Sequence, residues 1–298
     1  MDLVAQIISN PSVEARAYPV FRRHGFHLLR DSYLLPIPDD QDMAYLRPSE
    51  MVGVDIDAAR IFDFLETAIQ PYKAEFNAFP VHEAPPGSYY LVNGSYMAID
   101  GNVYYGLIRH FKPRRIVEIG AGNSTLLAAA AIRKNGTPTE LIAIEPYPSP
   151  ILKAQIPELT ELIVKRVQDV ELPFFEALGE NDILFIDSSH VLRPGGDVWW
   201  EFCEILPRLQ SGVLVHVHDI SLPKPYPHVY YENRWYWNEQ YLLQVFLSFN
   251  SRFEVIWPGN YMMEHHTARM TQAFSPEYGH MRAKYPQSEP SSFWLRVQ

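Results

Sequence analysis

The sequence lacks most features of a secreted or membrane protein. Its 298 residues include one cysteine, Cys203, so neither a disulfide within the chain nor a zinc site of cysteine ligands can form. No apolar run approaches the roughly 18–20 residues that a membrane-spanning helix needs. Acidic Asp2 precedes every basic residue and no apolar block follows it, unlike a secretory signal. We therefore expect a cytoplasmic protein without a membrane partner.

Positive charge is also scarce. The chain has 25 Lys and Arg residues against 35 Asp and Glu residues, a net charge of −10. Such a chain attracts neither the phosphates of nucleic acids nor an anionic lipid surface, so we expect a small molecule, not nucleic acid, as its partner. Hydrophobic residues make up 47% of the chain and aromatic residues 13%, which excludes a mainly disordered chain. Composition leaves open whether the protein forms a homo-oligomer.

The first third of the chain is irregular. Residues 1–100 are rich in proline and turn formers, with one amphipathic stretch at residues 58–72. There Ile61, Leu65 and Ile69 recur at helical spacing, which predicts a helix. We predict that residues 1–100 form an N-terminal accessory or cap segment.

Residues 101–298 alternate short apolar runs with helical segments. The apolar runs are at residues 115–120, 141–146, 162–167, 182–187, 213–220 and 253–258. Helices are predicted between them at residues 123–134, 149–157, 171–179, 197–209 and 237–249. This alternation predicts an α/β fold with a doubly wound, mostly parallel sheet, to which residues 291–297 can add a last strand.

Titratable residues concentrate where the predicted strands end. They are Glu118, Glu145, Asp187, His190, His216, His218 and Asp219. Buried strands seldom carry so many titratable groups for packing alone. Ligands of doubly wound sheets bind at the carboxyl ends of the strands, so we expect the functional site there.

The first predicted strand leads into a glycine-containing turn. Gly120 and Gly122 allow a ligand to approach the backbone, and Asn123 or Ser124 can cap the helix that follows. A dinucleotide-binding fingerprint would have a third glycine where Thr125 stands. The loop is therefore not a standard NAD site.

Two glutamates make a different ligand more suitable. Glu118 beside the loop would repel a pyrophosphate but attract a cation, and Glu145 at the end of the next strand can accept hydrogen bonds from ribose hydroxyls. A ligand with a ribose, an adenine, an ammonium and a sulfonium fits this set better than NAD does. The alternative is a purely structural turn beside a solvated glutamate.

Several motifs, in order, resemble those of class I S-adenosylmethionine-dependent methyltransferases. Residues 118–122 resemble their first motif and Glu145 their ribose-binding acidic residue. The closer resemblance is to the bacterial Methyltransf_24-like subgroup, over about residues 90–297. It is carried by residues 167–169, 181–190, 212–220 and 237–243.

The resemblance implies a fold, a cofactor and a set of contacts. The fold is a Rossmann-like sheet of seven strands with an antiparallel last strand, forming an S-adenosylmethionine-binding domain over residues 101–298. The cofactor contacts would be Glu118, Gly120, Gly122, Asn123, Ser124, Glu145, Gln168, Asp169 and Asp187. Asp169 could instead cap a helix.

The groups after the fourth and fifth strands are the candidate reactive residues. Asp187, His190 and His218 are predicted to be catalytic, with an imidazole as general base, although His190 could also be a capping residue. Asp187, His218 and Asp219 resemble in position the divalent-ion ligands of metal-dependent O-methyltransferases. Because His218 replaces an oxygen ligand, manganese, iron or zinc would suit the site better than magnesium. His216 is predicted to be a core histidine.

An aromatic segment at residues 223–241 follows the fifth strand. It could form a lid over the acceptor, or its rings could only pack the segment against the sheet. Asn93, Tyr96 and Met97 could likewise close over the cofactor, whereas His265 and His266 are predicted to lie at the surface.

Together these features predict methyl transfer from S-adenosylmethionine to an oxygen, or less favourably a nitrogen, of a small-molecule acceptor. Two alternatives remain open. The same fold could perform non-methylating or metal-dependent chemistry, or it could bind a nucleoside without turnover.

Overall fold

The computed structural model describes residues 10–27, 29, 32, 34–153 and 156–298. The chain divides into two compact units, Met1–Leu46 and Arg47–Gln298. The first unit contains the helices Pro11–Arg23 and Asp40–Ala44, which begin at the capping side chains of Asn10 and Asp39. Residues 47–100 thus belong to the same compact unit as the sheet. An accessory role for residues 1–100 stays a prediction.

Helices precede the sheet in the second unit. Their bounds are Ala58–Phe64, Leu65–Ile69 (a π-helical turn), Gln70–Tyr72 (a 3-10 turn), Lys73–Phe76 and Asp100–Phe111. Asp57 accepts hydrogen bonds from the backbone N–H groups of Ala59 and Arg60 and so begins the first of them. Ile61, Leu65 and Ile69 are buried, which confirms the predicted amphipathic helix.

Seven strands form one sheet in the part of the chain that the structure describes. They are β1 Arg115–Ile119, β2 Glu140–Ile144, β3 Leu159–Ile163, β4 Ile183–Ile186, β5 Leu214–Val217, β6 Phe253–Pro258 and β7 Phe293–Val297. Their order is β3-β2-β1-β4-β5-β7-β6. Strands β1 to β5 run parallel, and β7 is antiparallel to both β5 and β6. The predicted α/β fold, with its antiparallel last strand, is confirmed.

One strand differs from its predicted position. We expected residues 162–167, but β3 ends at Ile163. Among the described strands, β3 lies at an edge of the sheet and pairs only with β2. The pairing ends at Ile144 of β2 and Ile163 of β3. The chain then turns, with Lys165 donating to the carbonyl of Ile163. Strand length was therefore set by the neighbouring strand and not by the apolar run itself.

Helices cover both faces of the sheet. After β1 they are Asn123–Asn135, Pro150–Lys153, Leu172–Glu176, Asp197–Trp200, Glu201–Ile205 (π), Leu206–Arg208 (3-10), His228–Glu232, Glu239–Leu247, Gly259–His265, Thr267–Ala273 and Glu277–Lys284, with a 3-10 turn at Val167–Asp169. Among the described residues, no helix is both long and apolar enough to span a membrane.

The sheet separates two apolar cores. Alternate strand residues face opposite sides, so that Ile116 packs in one core and Val117 in the other. Burial on both faces explains why the central strands are continuous apolar runs. Strand order reverses between β1 and β4, and the carboxyl ends of β1, β4 and β5 meet at one edge of the sheet.

Candidate active site

The glycine loop after β1 packs directly against the end of β4. Gly120 has a φ of +77°, and a Cβ there would lie 1.8 Å from the carbonyl oxygen of Asp187. The backbone N–H of Asp187 donates to the carbonyl of Ile119 at 2.8 Å. Both the left-handed backbone and the close approach require glycine.

Glu118 stabilises the glycine loop through hydrogen bonds that lead to Gly122. Its side chain is fully buried and accepts hydrogen bonds from the hydroxyls of Tyr104 at 2.9 Å and Thr125 at 2.5 Å. Thr125 in turn accepts from the backbone N–H of Gly122 at 3.1 Å. Burial raises the pKa of Glu118 to about 7, although these two hydroxyls oppose the rise. In the structure Glu118 holds the shape of the loop.

A pocket of about 490 Å³ opens at the carboxyl ends of β1, β2 and β4. Four residues of the expected cofactor set line it, namely Gly120, Glu145, Gln168 and Asp187. Gln168 donates to the carbonyl of Gly195 at 3.0 Å, which ties two walls of the pocket together. The Glu145 carboxylate accepts only from the nearby backbone N–H of Tyr147 among the hydrogen bonds seen in the described residues, leaving lone pairs for a ligand.

The other expected cofactor residues lie around the pocket but not on its lining. Glu118 and Ser124 are buried. Gly122 is the N-cap of the helix Asn123–Asn135, so the expectation that Asn123 or Ser124 caps this helix is wrong. Asn123 donates to the hydroxyl of Ser95 at 2.7 Å. Asp169 is exposed and pairs with Arg166 at 3.1 Å, so it neither faces the pocket nor caps the helix Leu172–Glu176, whose N-cap is Glu171.

Two aspartates and two histidines meet beyond the end of the pocket. The Nε2 atom of His190 lies 3.4 Å from Asp187 Oδ1 and 3.4 Å from Asp219 Oδ2. The Nδ1 atom of His218 lies 3.5 Å from Asp187 Oδ1 and 3.7 Å from Asp219 Oδ2. His190 and Asp219 have φ values of +60° and +56°, an uncommon backbone conformation that turns each residue at a strand end. We call these four residues the acid–imidazole cluster.

Two further carboxylates lie next to the imidazole nitrogens that face away from Asp187 and Asp219. The Nδ1 atom of His190 lies 2.9 Å from Glu239 Oε2, while His218 Nε2 lies 3.7 Å from Asp100 Oδ2. The Asp100 carboxylate accepts hydrogen bonds from the backbone N–H groups of Ser291 and Ser292, each at 2.9 Å. The entry into β7 is thereby fixed against the cluster.

The cluster is suited to a divalent cation. Asp187, His218 and Asp219 each offer one ligand atom, and these three atoms lie within 4.8 Å of one another. The Nδ1 atom of His218 is buried and has no hydrogen-bond partner in the described part of the chain. An unpaired buried nitrogen is costly, so its direction toward two carboxylates fits a ligand for a metal ion.

Electrostatics within the cluster are strongly coupled. Burial favours neutral forms, but opposite charges outweigh it: His218 and His190 lower the pKa of Asp187. The pKa of His218 is raised because the charges of Asp219 and Asp187 overcome its burial. Hydrogen bonds to Asp187 and Glu239 likewise raise the pKa of His190 against its burial. The carboxylates therefore stabilise positive charge in the cluster, either on the imidazoles or on a bound cation.

His216 has a different environment from His218. It is fully buried, and its ring stacks on Phe185 with centroids 4.0 Å apart. Burial and the charge of His218 lower its pKa well below the usual value. In the structure it is a neutral residue of the aromatic core.

The aromatic segment contacts the cluster through one ring. Trp237 lies on His190 with centroids 4.2 Å apart, and Trp235 stacks on Trp237 at 5.6 Å. The ring of Tyr230 packs edge-to-face against Trp237, with centroids 4.7 Å apart. Trp235 remains 47% exposed, so the segment offers an open aromatic face beside the cluster.

The sequence predicts no role for three of the buried acids, namely Asp100, Glu201 and Glu239. Glu201 accepts from the Ser188 hydroxyl at 3.0 Å and could have been noticed as an acid on the apolar face formed by Val198 and Phe202. Glu239 lies within the motif at residues 237–243 but was given no role. Asp100 had no signal, because its partners Ser291 and Ser292 are remote in sequence.

The central part of the chain matches a family of methyltransferases. Residues 117–220 match the family model Methyltransf_24, described as a methyltransferase domain. An uncharacterised protein of Archaeoglobus fulgidus is 38% identical over 142 residues, which make up 45% of this chain and 62% of that protein. The match thus spans less than two thirds of this relative.

A comparison with solved structures finds methyltransferases among the matches. An SAH-bound methyltransferase of Podospora anserina covers 90% of this chain and 100% of its own, with 14% identity and a TM-score of 0.42. The plantazolicin methyltransferase BpumL, in complex with SAH, covers 80% of this chain and 98% of its own, with 10% identity and a TM-score of 0.41. Residues 117–220 of this chain, which run from within β1 to just past the end of β5, are thus similar to a methyltransferase domain.

Proposed function

We propose that this protein transfers the methyl group of S-adenosylmethionine to an oxygen or nitrogen of a small-molecule acceptor. The observation that carries the proposal is the position of Asp187. This residue lines the 490 Å³ pocket and also belongs to the acid–imidazole cluster. A cofactor in the pocket would therefore present its reactive end to titratable side chains.

The pocket supplies groups that suit each part of the cofactor. Glu145 would accept hydrogen bonds from the ribose hydroxyls, and Gln168 lies where a purine edge would reach. Gly120 lets the backbone approach the ligand, and Glu118 acts indirectly by shaping the loop. Gly122, Asn123 and Ser124 would contribute to cofactor binding because they form the start of the helix that follows the loop. Asp169 would contribute through its ion pair with Arg166, which lines the pocket.

A divalent ion held by Asp187, His218 and Asp219 is part of the proposal. When bound, such an ion lowers the pKa of an acceptor hydroxyl and fixes its orientation. The alternative without an ion is a general base, His190 or His218, which in its neutral form accepts the proton of the acceptor. The donor set favours the ion, because His218 Nδ1 is buried without a hydrogen-bond partner in the described residues and the carboxylates around it need compensating charge.

The acceptor is proposed to lie against the aromatic segment. Trp235 and Trp237 form stacked rings next to His190. Such a face favours a flat or hydrophobic molecule, excludes water from the transfer and attracts a sulfonium cation. Oxygen is preferred as the methylated atom because an ion or a base is needed for a hydroxyl acceptor. The proposed location is the cytoplasm, because a chain with a single cysteine does not depend on an oxidising compartment for disulfide bonds.

Calorimetry with S-adenosylmethionine tests the cofactor proposal. We expect one molecule to bind per chain, and Glu145→Ala to weaken binding by about 1–3 kcal/mol, roughly 5- to 150-fold, through loss of the ribose contacts. Glu161→Ala, on the exposed side of the edge strand β3, is the matched control and should bind as the wild type does. Unchanged affinity in Glu145→Ala, or preference of the wild type for NAD, would refute the proposal.

A further inference from the structure

We infer that His190 is a fourth ligand of the divalent ion and that Glu239 is the residue that positions its ring. The inference rests on the proposed function, because it extends the ion site of Asp187, His218 and Asp219 by one ligand and its support. It identifies the site as a set of two imidazole nitrogens and two carboxylate oxygens.

The distances from each imidazole to the two aspartates are compatible with ligands of one ion. Neighbouring ligands bound about 2.0–2.2 Å from one ion lie roughly 2.8–3.1 Å apart in octahedral sites and roughly 3.3–3.6 Å apart in tetrahedral sites. His190 Nε2 is 3.4 Å from both aspartate oxygens, which is longer than a good hydrogen bond. For His218 Nδ1 the corresponding distances are 3.5 and 3.7 Å. The two imidazoles therefore stand in equivalent positions relative to the aspartates.

Glu239 fixes which nitrogen of His190 faces the aspartates. Its carboxylate lies 2.9 Å from Nδ1, so a proton retained on Nδ1 would be held by Glu239, and Nε2 would give up its proton to bind the ion. The backbone adds a second link, because the carbonyl of His190 accepts from the N–H groups of Asn238 and Glu239 at 3.0 and 3.2 Å. A histidine that binds a metal usually donates its other N–H to such a carboxylate.

His218 is oriented in the same way. Its Nε2 atom faces outward, 3.4 Å from the Ser291 hydroxyl and 3.7 Å from Asp100, while Nδ1 faces the aspartates without a hydrogen-bond partner among the described residues. Each ring thus turns one nitrogen to an outer acid and the other to Asp187 and Asp219. Two rings on different strand ends share this arrangement, which packing alone would not require.

The donor set also selects the ion. Imidazole nitrogen is a poor ligand for magnesium, whereas mixed sites of imidazole and carboxylate bind manganese more readily and iron, cobalt and zinc more tightly still. With His190 included, half of the protein donors are nitrogen. We therefore expect the site to bind Mn²⁺ or Zn²⁺ in preference to Mg²⁺.

Binding of Mn²⁺ to the full chain, followed by EPR without any acceptor, tests the inference. We expect one ion per chain, lost in Asp219→Asn, about 100-fold weaker in His190→Ala and about 10-fold weaker in Glu239→Gln, which keeps a hydrogen-bond acceptor for Nδ1. His265→Ala removes an exposed imidazole and should bind as the wild type does. Pulsed EPR of the wild-type complex should detect two bound histidine nitrogens, a readout that needs no variant to fold.

The outcomes separate this inference from the proposed function. Wild-type affinity in His190→Ala, or a single bound histidine nitrogen in the wild type, overturns the fourth ligand but leaves the three-ligand site intact. A wild type that binds no ion overturns both the fourth ligand and the ion of the proposed function. Calorimetry with S-adenosylmethionine then decides separately whether the cofactor proposal survives.

Discussion

The glycine loop and the acid–imidazole cluster lie side by side but are built in opposite ways. The loop is held by residues close in sequence, since Glu118, Gly122 and Thr125 bond to one another. The cluster is gathered from distant segments: His190 is bonded to Glu239, and Asp100 to Ser291. A local motif can therefore reveal the first site, whereas the second exists only in the folded chain.

The largest expected effect concerns the point where the two regions touch. Gly120→Ala puts a Cβ 1.8 Å from the Asp187 carbonyl oxygen, so the loop and the end of β4 must separate. We expect the free energy of unfolding to fall by more than about 4 kcal/mol, or the protein not to fold. Chemical denaturation measures this change.

Gly122→Ala is the matched control for that substitution. A Cβ at Gly122 would meet nothing within 4 Å, so its free energy of unfolding should stay near that of the wild type. Equal losses in the two variants would show that the loop does not depend on its contact with β4.

An intermediate effect tests the buried acid beneath the loop. The pKa of Glu118 is about 7 in the folded chain against an ordinary value of 4.5, so the stability it contributes is complete below pH 4.5 and is lost as the pH rises to 7. Glu118→Gln cannot ionise. Relative to the wild type, it should therefore gain about 3 kcal/mol in free energy of unfolding between pH 4.5 and pH 8.

Denaturation curves of both proteins across this pH range provide the measurement. The result that would contradict the assignment is a difference between them that stays constant from pH 4.5 to pH 8. Glu118 would then not be a buried acid with a raised pKa, and the loop would be held mainly by the hydroxyls of Tyr104 and Thr125.

The smallest expected effect concerns the aromatic face beside the cluster. Trp235→Ala removes a half-exposed ring that stacks on Trp237. We expect KM for the acceptor to rise by a factor that corresponds to about 1 kcal/mol, with the affinity for S-adenosylmethionine unchanged. Steady-state kinetics with an acceptor that supports turnover checks this, and Tyr45→Ala, an exposed ring in the first compact unit, is the control. A parallel loss of cofactor affinity would mean that the ring serves the cofactor pocket.

The same contrast explains how much the sequence could predict. The apolar runs and the Gly-x-Gly turn are sufficient to predict the parallel strands, the loop at Gly120 and the position of Glu145 at a strand end. Asp187, His218 and Asp219 were also found together, because parallel strands end at one edge of a sheet. The bounds of β3 depended instead on pairing with β2, and the contacts of Asp100 depended on β7.

The role of Glu118 shows a second limit. Its position beside the glycine loop predicts a contact with the cofactor, but the sequence does not say which way its side chain turns. Burial against Tyr104, which lies on the preceding helix Asp100–Phe111, decides that direction. A motif thus identifies the residues near a ligand but not which of them touch it.

A crystal structure of the protein with S-adenosylmethionine and Mn²⁺ tests the central claim most directly. We predict that the cofactor occupies the pocket between Glu145 and Asp187, with its sulfonium methyl group directed at the ion held by the acid–imidazole cluster. A cofactor bound elsewhere, or one whose methyl group points away from Asp187, His218 and Asp219, would contradict the account.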